Sequence, residues 1–309
     1  MNIVVIGSMN MDYVLTTDNL PKKGETIHAI DFKTSIGGKG ANQAFAARKL
    51  GADVVMIGSV GNDDNGRKII NRMNEVGIDT SRIEIVNTET GNAMITVDNN
   101  GNNTIIVYGG ANKCVNKEII DKNEDAIIKA DFVIFQLEIP IETVEYGIEL
   151  AKKHNTKVIL NPAPAKILSD NILRNVDIIT PNETELVIIS GENDLKLGAR
   201  KLLESGVKEV IVTIGEKGSY YLSNEKEILS ESIKVKARDT TAAGDSFNGA
   251  LAVAICEGKC IEEALEFSNV VGALTTTKSG AEKSLPYREE VNKILEIKYN
   301  KQKVFELIK

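Results

Sequence analysis

The run Asp239-Thr240-Thr241-Ala242-Ala243-Gly244-Asp245-Ser246-Phe247-Asn248-Gly249 sets small residues and a carboxylate where a helix is about to start. Small side chains at Ala242, Ala243 and Gly244 let a backbone approach a ligand closely. The helix that follows leaves its first N–H groups free and aims its positive dipole end at the same point, which makes an anion hole suited to a phosphate in transit. Asp245 sits in the first turn, at the mouth of that hole, where a carboxylate can accept a hydroxyl proton while a phosphoryl group is held. A plain acidic cap on a tight turn would explain an isolated Gly-Asp. It does not explain the whole run, which has the parts of a phosphate cradle.

A second cluster, Gly37-Gly38-Lys39-Gly40-Ala41-Asn42-Gln43, precedes an Ala-rich helix. It is not a Walker A loop, because Gly40 rather than Ser or Thr follows the lysine, and Gly7 opens no dinucleotide fingerprint. Lys39 and Asn42 lie three apart and share a helical face that could hydrogen-bond vicinal hydroxyls; a tightly packed helix cap is the other reading. The third cluster, Asn10-Met11-Asp12, follows the first apolar run, at what would be the carboxyl edge of a parallel sheet. There an Asn/Asp pair suits a polyol, and an Asx-type turn is the alternative.

Other residue types contribute little. The two histidines, His28 and His154, leave general base chemistry to carboxylates, and His154 falls at a predicted helix C-terminus, the place of a cap. Cys114, Cys256 and Cys260 have no metal-like spacing; Cys256 and Cys260, four apart, are expected on one face of a helix as buried structural thiols. An odd count without a framework suits a reducing compartment.

Parallel strands must position these clusters. Short apolar runs at Ile3–Ile6, Val54–Ile57, Phe132–Phe135, Val158–Leu160, Ile178–Ile179 and Val210–Ile214 read as buried strands. Helical stretches such as Asn65–Val76, Ile141–His154 and Lys196–Ser205 separate most of them, predicting a sheet covered on both faces. Glu25–Lys33 and Asn92–Tyr108 break this rhythm with strand-like pieces, the second carrying an Asn-Asn-Gly-Asn-Asn hairpin turn at Asn99–Asn103. They predict a small β appendage, either a lid or a surface hairpin without a role. Gly244–Cys256 and Ile261–Thr277 read as core helices, and no linker divides the chain.

The length of 309 residues suits one large α/β domain, and 42% hydrophobic residues suffice for its core. A formal net charge of −7 offers no electrostatic reason for nucleic acid as the main partner. No segment approaches the roughly 18 apolar residues of a membrane span. The opening Ile3-Val4-Val5-Ile6-Gly7 is too short for a signal peptide core, so a cytoplasmic protein is expected.

The combination resembles the ribokinase family, also called PfkB carbohydrate kinases. The Asp239–Asp245 run is similar to the family's C-terminal signature, and Gly37–Asn42 to its N-terminal Gly-Gly-Lys-Gly sugar motif. Asn161-Pro162-Ala163-Pro164-Ala165 and Thr180-Pro181-Asn182-Glu183-Thr184-Glu185 resemble two further blocks, so the resemblance spans essentially the whole chain. It implies one ribokinase-like domain, a three-layer α/β/α core with a mainly parallel sheet and a small β-sheet lid built from strands at about 11–16, 25–35 and 91–108. The activity implied is ATP-dependent phosphorylation of D-ribose at its 5-hydroxyl. Deoxyribose, fructose, 2-keto-3-deoxygluconate or a nucleoside are the alternative acceptors, and a non-catalytic sugar- or nucleotide-sensing module is the alternative from another class.

The resemblance also implies roles by position. Asn10, Met11, Asp12, Gly38, Lys39, Gly40, Ala41, Asn42 and Glu138 would hold the sugar, with Asp245 as base and Ala242, Ala243 and Gly244 as anion hole. Asn182 and Glu185 would serve the phosphates and Mg²⁺, the latter through water; Thr213, Ile214, Gly215, Glu216, Lys217, Gly218, Gly244, Asp245 and Asn269 would receive ATP. A K⁺ site would draw on Asp239, Thr241, Thr275, Lys278, Gly280 and Ser284, largely through carbonyls. A homodimer paired through the β lid is implied as well.

Overall fold

The computed structural model describes residues 1–307. Its first half runs β1 (Asn2–Ile6), β2 (Asn10–Thr17), β3 (Asp31–Gly37), α1 (Lys39–Lys49), β4 (Asp53–Gly61), α2 (Asp64–Glu75), β5 (Ile83–Val86), β6 (Gly91–Asp98) and β7 (Asn103–Tyr108). Two short helices, α3 (Lys117–Lys122) and α4 (Glu124–Lys129), lead to β8 (Phe132–Phe135), α5 (Ile141–Lys153), β9 (Lys157–Leu160), α6 (Asp170–Asn175) and β10 (Ile178–Ile179). The remainder is α7 (Glu183–Ser190), α8 (Leu195–Glu204), β11 (Glu209–Thr213), β12 (Ser219–Ser223), β13 (Glu227–Ser230), α9 (Ala243–Cys256), α10 (Ile261–Thr276) and α11 (Arg288–Leu307).

Nine strands form the main sheet in the order β13-β12-β11-β10-β9-β8-β1-β4-β5, parallel except at the β12–β13 edge. β1 lies at its heart, with Ile3–Ile6 in register with Val54–Ile57 on one side and Phe132–Phe135 on the other. Its side chains alternate between two apolar cores: Ile3 and Val5 pack with α1, α9 and α10, while Val4 and Ile6 pack with α5 and its neighbours. All four are at most 2% exposed, which is why the strand reads as an unbroken apolar run rather than an alternation. Helices cover both faces of the sheet.

The four remaining strands make a separate sheet, β3-β2-β6-β7. β2 pairs in parallel with β6 over Asn10–Thr17, and β6 turns back into β7 through Asn99–Asn102. β7 is exposed along its whole length.

The architecture agrees with the sequence in type and departs from it in detail. The first inserted strand-like piece was expected over Glu25–Lys33, whereas β3 occupies Asp31–Gly37 and no strand covers Glu25–Ile30. The antiparallel β12–β13 edge and the short β5 had no counterpart among the expected strands. Cys256 and Cys260 do not share a helix. Gly258, at φ 78°, ends the chain path of α9 in a left-handed turn, and Cys260 becomes the N-cap of α10. Neither thiol is fully buried, and Cys260 is exposed.

Candidate active site

The site is assembled beyond the carboxyl ends of the main strands, and its centre is the start of α9. Ala242 adopts the left-handed conformation, φ 61° and ψ 8°, as the N-cap residue. Such a turn is unfavourable for a residue with a Cβ and reorients the chain into the helix within one step. Among the described residues, no acceptor in the chain receives the N–H groups of Gly244 and Asp245. A Cβ built on Gly244 would meet nothing within 4 Å, so the backbone is open to a ligand on that side. The geometry of an anion hole is present.

α1 is brought against α9 by glycine. A Cβ on Gly249 would stand 2.8 Å from Ala46 Cβ and 2.9 Å from the Gln43 carbonyl oxygen, so only glycine permits this approach. The crossing carries Asn42 and Gln43 to Asp245: Asn42 Nδ2 donates to Asp245 Oδ2 at 2.9 Å, and Gln43 Nε2 to Oδ1 at 3.1 Å. Two amide donors thus fix the plane of the carboxylate, and each oxygen retains a lone pair.

The polyol side of the site is built on β1, β2 and β8. Gly38, with φ 89°, caps α1 without a side-chain partner, and a Cβ there would strike the Met9 and Asn10 backbone at 2.9 and 2.8 Å. Gly40 donates its N–H to Ser8 Oγ at 3.3 Å, and Ser8 in turn donates to Glu138. Glu138 also accepts the Lys39 N–H at 3.1 Å. Asn10 Oδ1 accepts from Asn112 Nδ2 at 2.7 Å, which turns its own amide nitrogen away. Met11 is packed in the core, its side chain among apolar neighbours rather than in the cleft. Asp12 is 8% exposed, and no donor in the described chain reaches its carboxylate. Asn42 Oδ1 is buried without a partner. Unsatisfied groups of this kind are costly in a folded protein and point to a ligand that satisfies them.

The electrostatics follow from crowding. Burial, then the nearby charges of Glu138 and Asp245, pushes the Asp12 carboxyl up to about 7. Burial opposes the charge of Lys39, but Asp245, Glu138 and Glu185 outweigh it and hold the ammonium above its ordinary pKa. Glu185 is likewise raised by burial, with Asp245 adding to the effect and the Asn182 N–H and Lys39 opposing it. One lysine therefore stands among four carboxylates.

Asn182 and Glu185 form a reciprocal capping box on α7: Asn182 N donates to Glu185 Oε2 at 2.9 Å and Glu185 N to Asn182 Oδ1 at 2.8 Å. Their spacing has a structural role whatever else it serves. The segment Thr213–Gly218 leaves β11 through a short 3₁₀ turn over Gly215, Glu216 and Lys217, closed by Ile214 N donating to Gly218 O at 2.9 Å. Asn269 gives both amide hydrogens to Ser230, at 3.0 Å to the carbonyl and 3.0 Å to the hydroxyl, so its side chain is anchored to β13.

The residues expected around a monovalent cation are drawn together by Asp239. Its Oδ1 accepts from Thr241 N at 2.9 Å and its Oδ2 from Gly280 N at 2.9 Å, joining two loops. The side chains of Thr275 and Ser284 turn elsewhere, to Ser246 and Val271 and to the Ala281 carbonyl, and Lys278 pairs with Glu290. Among the described residues, no three His, Cys, Asp or Glu side chains cluster as a metal centre. Two cavities, of about 340 and 240 Å³, lie at the amino ends of the strands and away from all of this chemistry.

Sequence reasoning gave no role to Ser8, Asn112 or Asn161, although Asn161 opens a block that resembles the family's; all three touch the groups above. Ser8 stands in the Gly7–Asp12 run and could have been suspected. Asn112 carried no local signal: its partners Met9 and Asn10 are about a hundred residues away in the chain, separations of 103 and 102.

The model of the pfkB family carbohydrate kinases matches residues 1–288. The ribokinase of Haemophilus influenzae is 40% identical over 300 residues, covering 95% of this chain and 98% of that protein. The deoxyribokinase of Salmonella typhi is 38% identical over 304 residues, covering 96% and 99%. Among solved structures, the ribokinase of Thermotoga maritima superposes with a TM-score of 0.89 at 41% identity, covering 96% of this chain and 99% of that one. The Arabidopsis thaliana ribokinase complexed with ribose and ATP gives 0.89 at 35% identity, covering 95% and 98%. The chain belongs to the pfkB family of carbohydrate kinases.

Proposed function

We propose that this protein transfers the γ-phosphoryl group of ATP to the 5-hydroxyl of D-ribose, with Asp245 as general base. The observation that carries the reading is the meeting of two clusters at one carboxylate. Asp245 opens the anion hole of α9 and is bound by Asn42 of the polyol motif.

Asn10, Asp12, the Gly38–Asn42 segment and Glu138 hold the sugar. The bare carboxylate of Asp12 accepts from two hydroxyls, and the unpartnered Asn42 Oδ1 accepts from another. Asp245 takes the 5-hydroxyl proton as that oxygen bonds to the γ-phosphorus. The bond from that phosphorus to the β–γ bridging oxygen breaks, and its electrons leave with ADP. Charge on the transferring group is met by the N–H groups of Gly244 and Asp245, with Ala242 and Ala243 shaping the turn. Thr213–Gly218 and Asn269 border the nucleotide.

The residues fit a magnesium ion held chiefly by the phosphates. A single carboxylate, Glu185, with Asn182 beside it at the start of α7, would hold it through water, which suits an ion that keeps its waters. When bound, it neutralises phosphate charge. For K⁺ the fit is through carbonyls of the Asp239–Thr241 and Thr275–Ser284 loops, since the Asp239 carboxylate already holds the two loops together. The small sheet acts as a lid that excludes water, which prevents ATP hydrolysis in place of transfer. Exposed apolar side chains on it, Phe32, Met94, Ile105 and Ile106 among them, support pairing with a second copy. Among the described residues no helix is long and apolar enough to cross a membrane, and we read the protein as cytoplasmic.

Relatives of nearly equal identity include a deoxyribokinase, so 2-deoxyribose is the second reading of the acceptor. ADP release with Mg-ATP, with and without K⁺, is measured for ribose, 2-deoxyribose, fructose, 2-keto-3-deoxygluconate and adenosine. Ribose with the highest kcat/KM, raised by K⁺, supports the reading. Another acceptor in first place redraws the pocket, and no turnover at all favours a sensing module.

A further inference from the structure

Asp245 does not stand alone on its helix. Behind it runs a buried chain of amides that belongs to neither the sugar nor the nucleotide. Gln43 Nε2 is shared between Asp245 Oδ1 and Asn161 Oδ1, at 3.1 Å each. Gln43 Oε1 accepts from Gln136 Nε2 at 2.6 Å. Asn161 Nδ2 is tied to the Thr180 carbonyl at 3.3 Å, and Gln43 and Gln136 have no exposed surface.

The direction of this chain is dictated from one end. An ionised carboxylate can only accept, so Gln43 must present its NH₂ to Asp245 and its oxygen to Gln136. Gln136 must then donate, and its own oxygen is left buried with no partner. A Cβ on Gly7 would lie 1.9 Å from that oxygen, so the glycine makes room for it. A buried acceptor left unsatisfied is a cost, and the arrangement that incurs it is the one that gives Asp245 a fixed donor.

We propose that Gln43 is a positioning residue for the base Asp245, with its amide held in place by Gln136 and Asn161. The proposal rests on the kinase reading above. Gln43 holds the carboxylate plane so that a free lone pair faces the acceptor hydroxyl, and its side chain makes no hydrogen bond to the sugar-binding groups Asn10, Asp12 or Glu138. Gln136 acts one step further back, at the carboxyl end of β8.

The test compares Gln43→Met, Gln136→Met and Gln136→Glu, all read by kcat at saturating ribose and Mg-ATP and by the ribose dissociation constant from calorimetry. An ionised carboxylate at position 136 demands a donor, so at alkaline pH Gln43 rotates and turns its oxygen on Asp245. The expected result is a fall in kcat of about tenfold or more for Gln43→Met, as misplacement of a reacting group produces, with the ribose constant within about twofold of wild type. At alkaline pH Gln136→Glu falls further than Gln136→Met. If Gln136→Glu does not fold, the two methionine variants decide the question. Kcat retained in a folded Gln43→Met, or lost only in step with ribose affinity and Tm, overturns the proposal. A wild-type protein that transfers no phosphate overturns the kinase reading itself, and a wild-type rate separates the two failures.

Discussion

Asn42 and Asp245, 203 residues apart in sequence, share a hydrogen bond of 2.9 Å. This one contact joins the polyol motif at the start of α1 to the anion hole at the start of α9. On the proposed function, a sugar held by the first would be delivered to the base at the second, and binding energy would be converted into alignment.

The first prediction concerns pH. The Asp12 carboxyl is pushed up to about 7, by burial first and then by Glu138 and Asp245. Both oxygens accept sugar hydroxyls fully only in the ionised form, so ribose binding favours loss of the proton below that pH. Ribose affinity is expected to rise about tenfold between pH 6 and pH 8 and then level, the response of a single carboxyl titrating near 7. The same shift works against the free protein: the folded state keeps a proton that the unfolded chain releases from its ordinary 3.8, so stability declines as pH rises above that value and levels once pH passes about 7. Asp12→Asn should flatten both trends in calorimetry and thermal melts. A pH-independent ribose affinity in the wild type contradicts this account.

Much of the site was legible because its signals are local. Small residues followed by a carboxylate at Ala242–Asp245 describe a helix N-terminus within four positions, and the apolar run of β1 states burial on both faces. What escaped was set by distance. Gln43 lies inside a quoted motif, yet its partners Gln136 and Asn161 are 93 and 118 residues away. Asn182 and Glu185 carried a second meaning, a capping box, that the motif alone conceals. The β12–β13 edge was missed because it is antiparallel beside a parallel pattern, and the helix placed over Cys256 and Cys260 is broken at Gly258.

Gly37 tests the polyol pocket without touching its chemistry. A Cβ there would stand 2.1 Å from Asp12 Oδ2. Gly37→Ala should swing that carboxylate aside and weaken ribose binding roughly 10- to 100-fold, the range expected when hydrogen bonds to a charged group are lost. ATP binding should change little. Unchanged ribose affinity in a folded Gly37→Ala protein removes Asp12 from the pocket.

The small sheet offers a prediction about assembly. Ile106 on β7 is 72% exposed, alongside Ile105, Val107 and Tyr108. Placing a charge in the middle of such an apolar surface opposes its burial against a second copy. Light scattering should give a dimer for the wild type and a monomer for Ile106→Asp. A monomeric wild type, or a variant that stays dimeric, counts against pairing through this sheet.

The central claim is that Asp245 removes the proton from the acceptor hydroxyl. Its most direct test is steady-state ADP release with saturating ribose and Mg-ATP, comparing wild type with Asp245→Asn after melting curves establish that both are folded. The account predicts a fall in kcat of roughly 10² or more, as loss of a general base produces, with ribose still bound. A folded Asp245→Asn protein that turns over at a near wild-type rate would show that the base lies elsewhere.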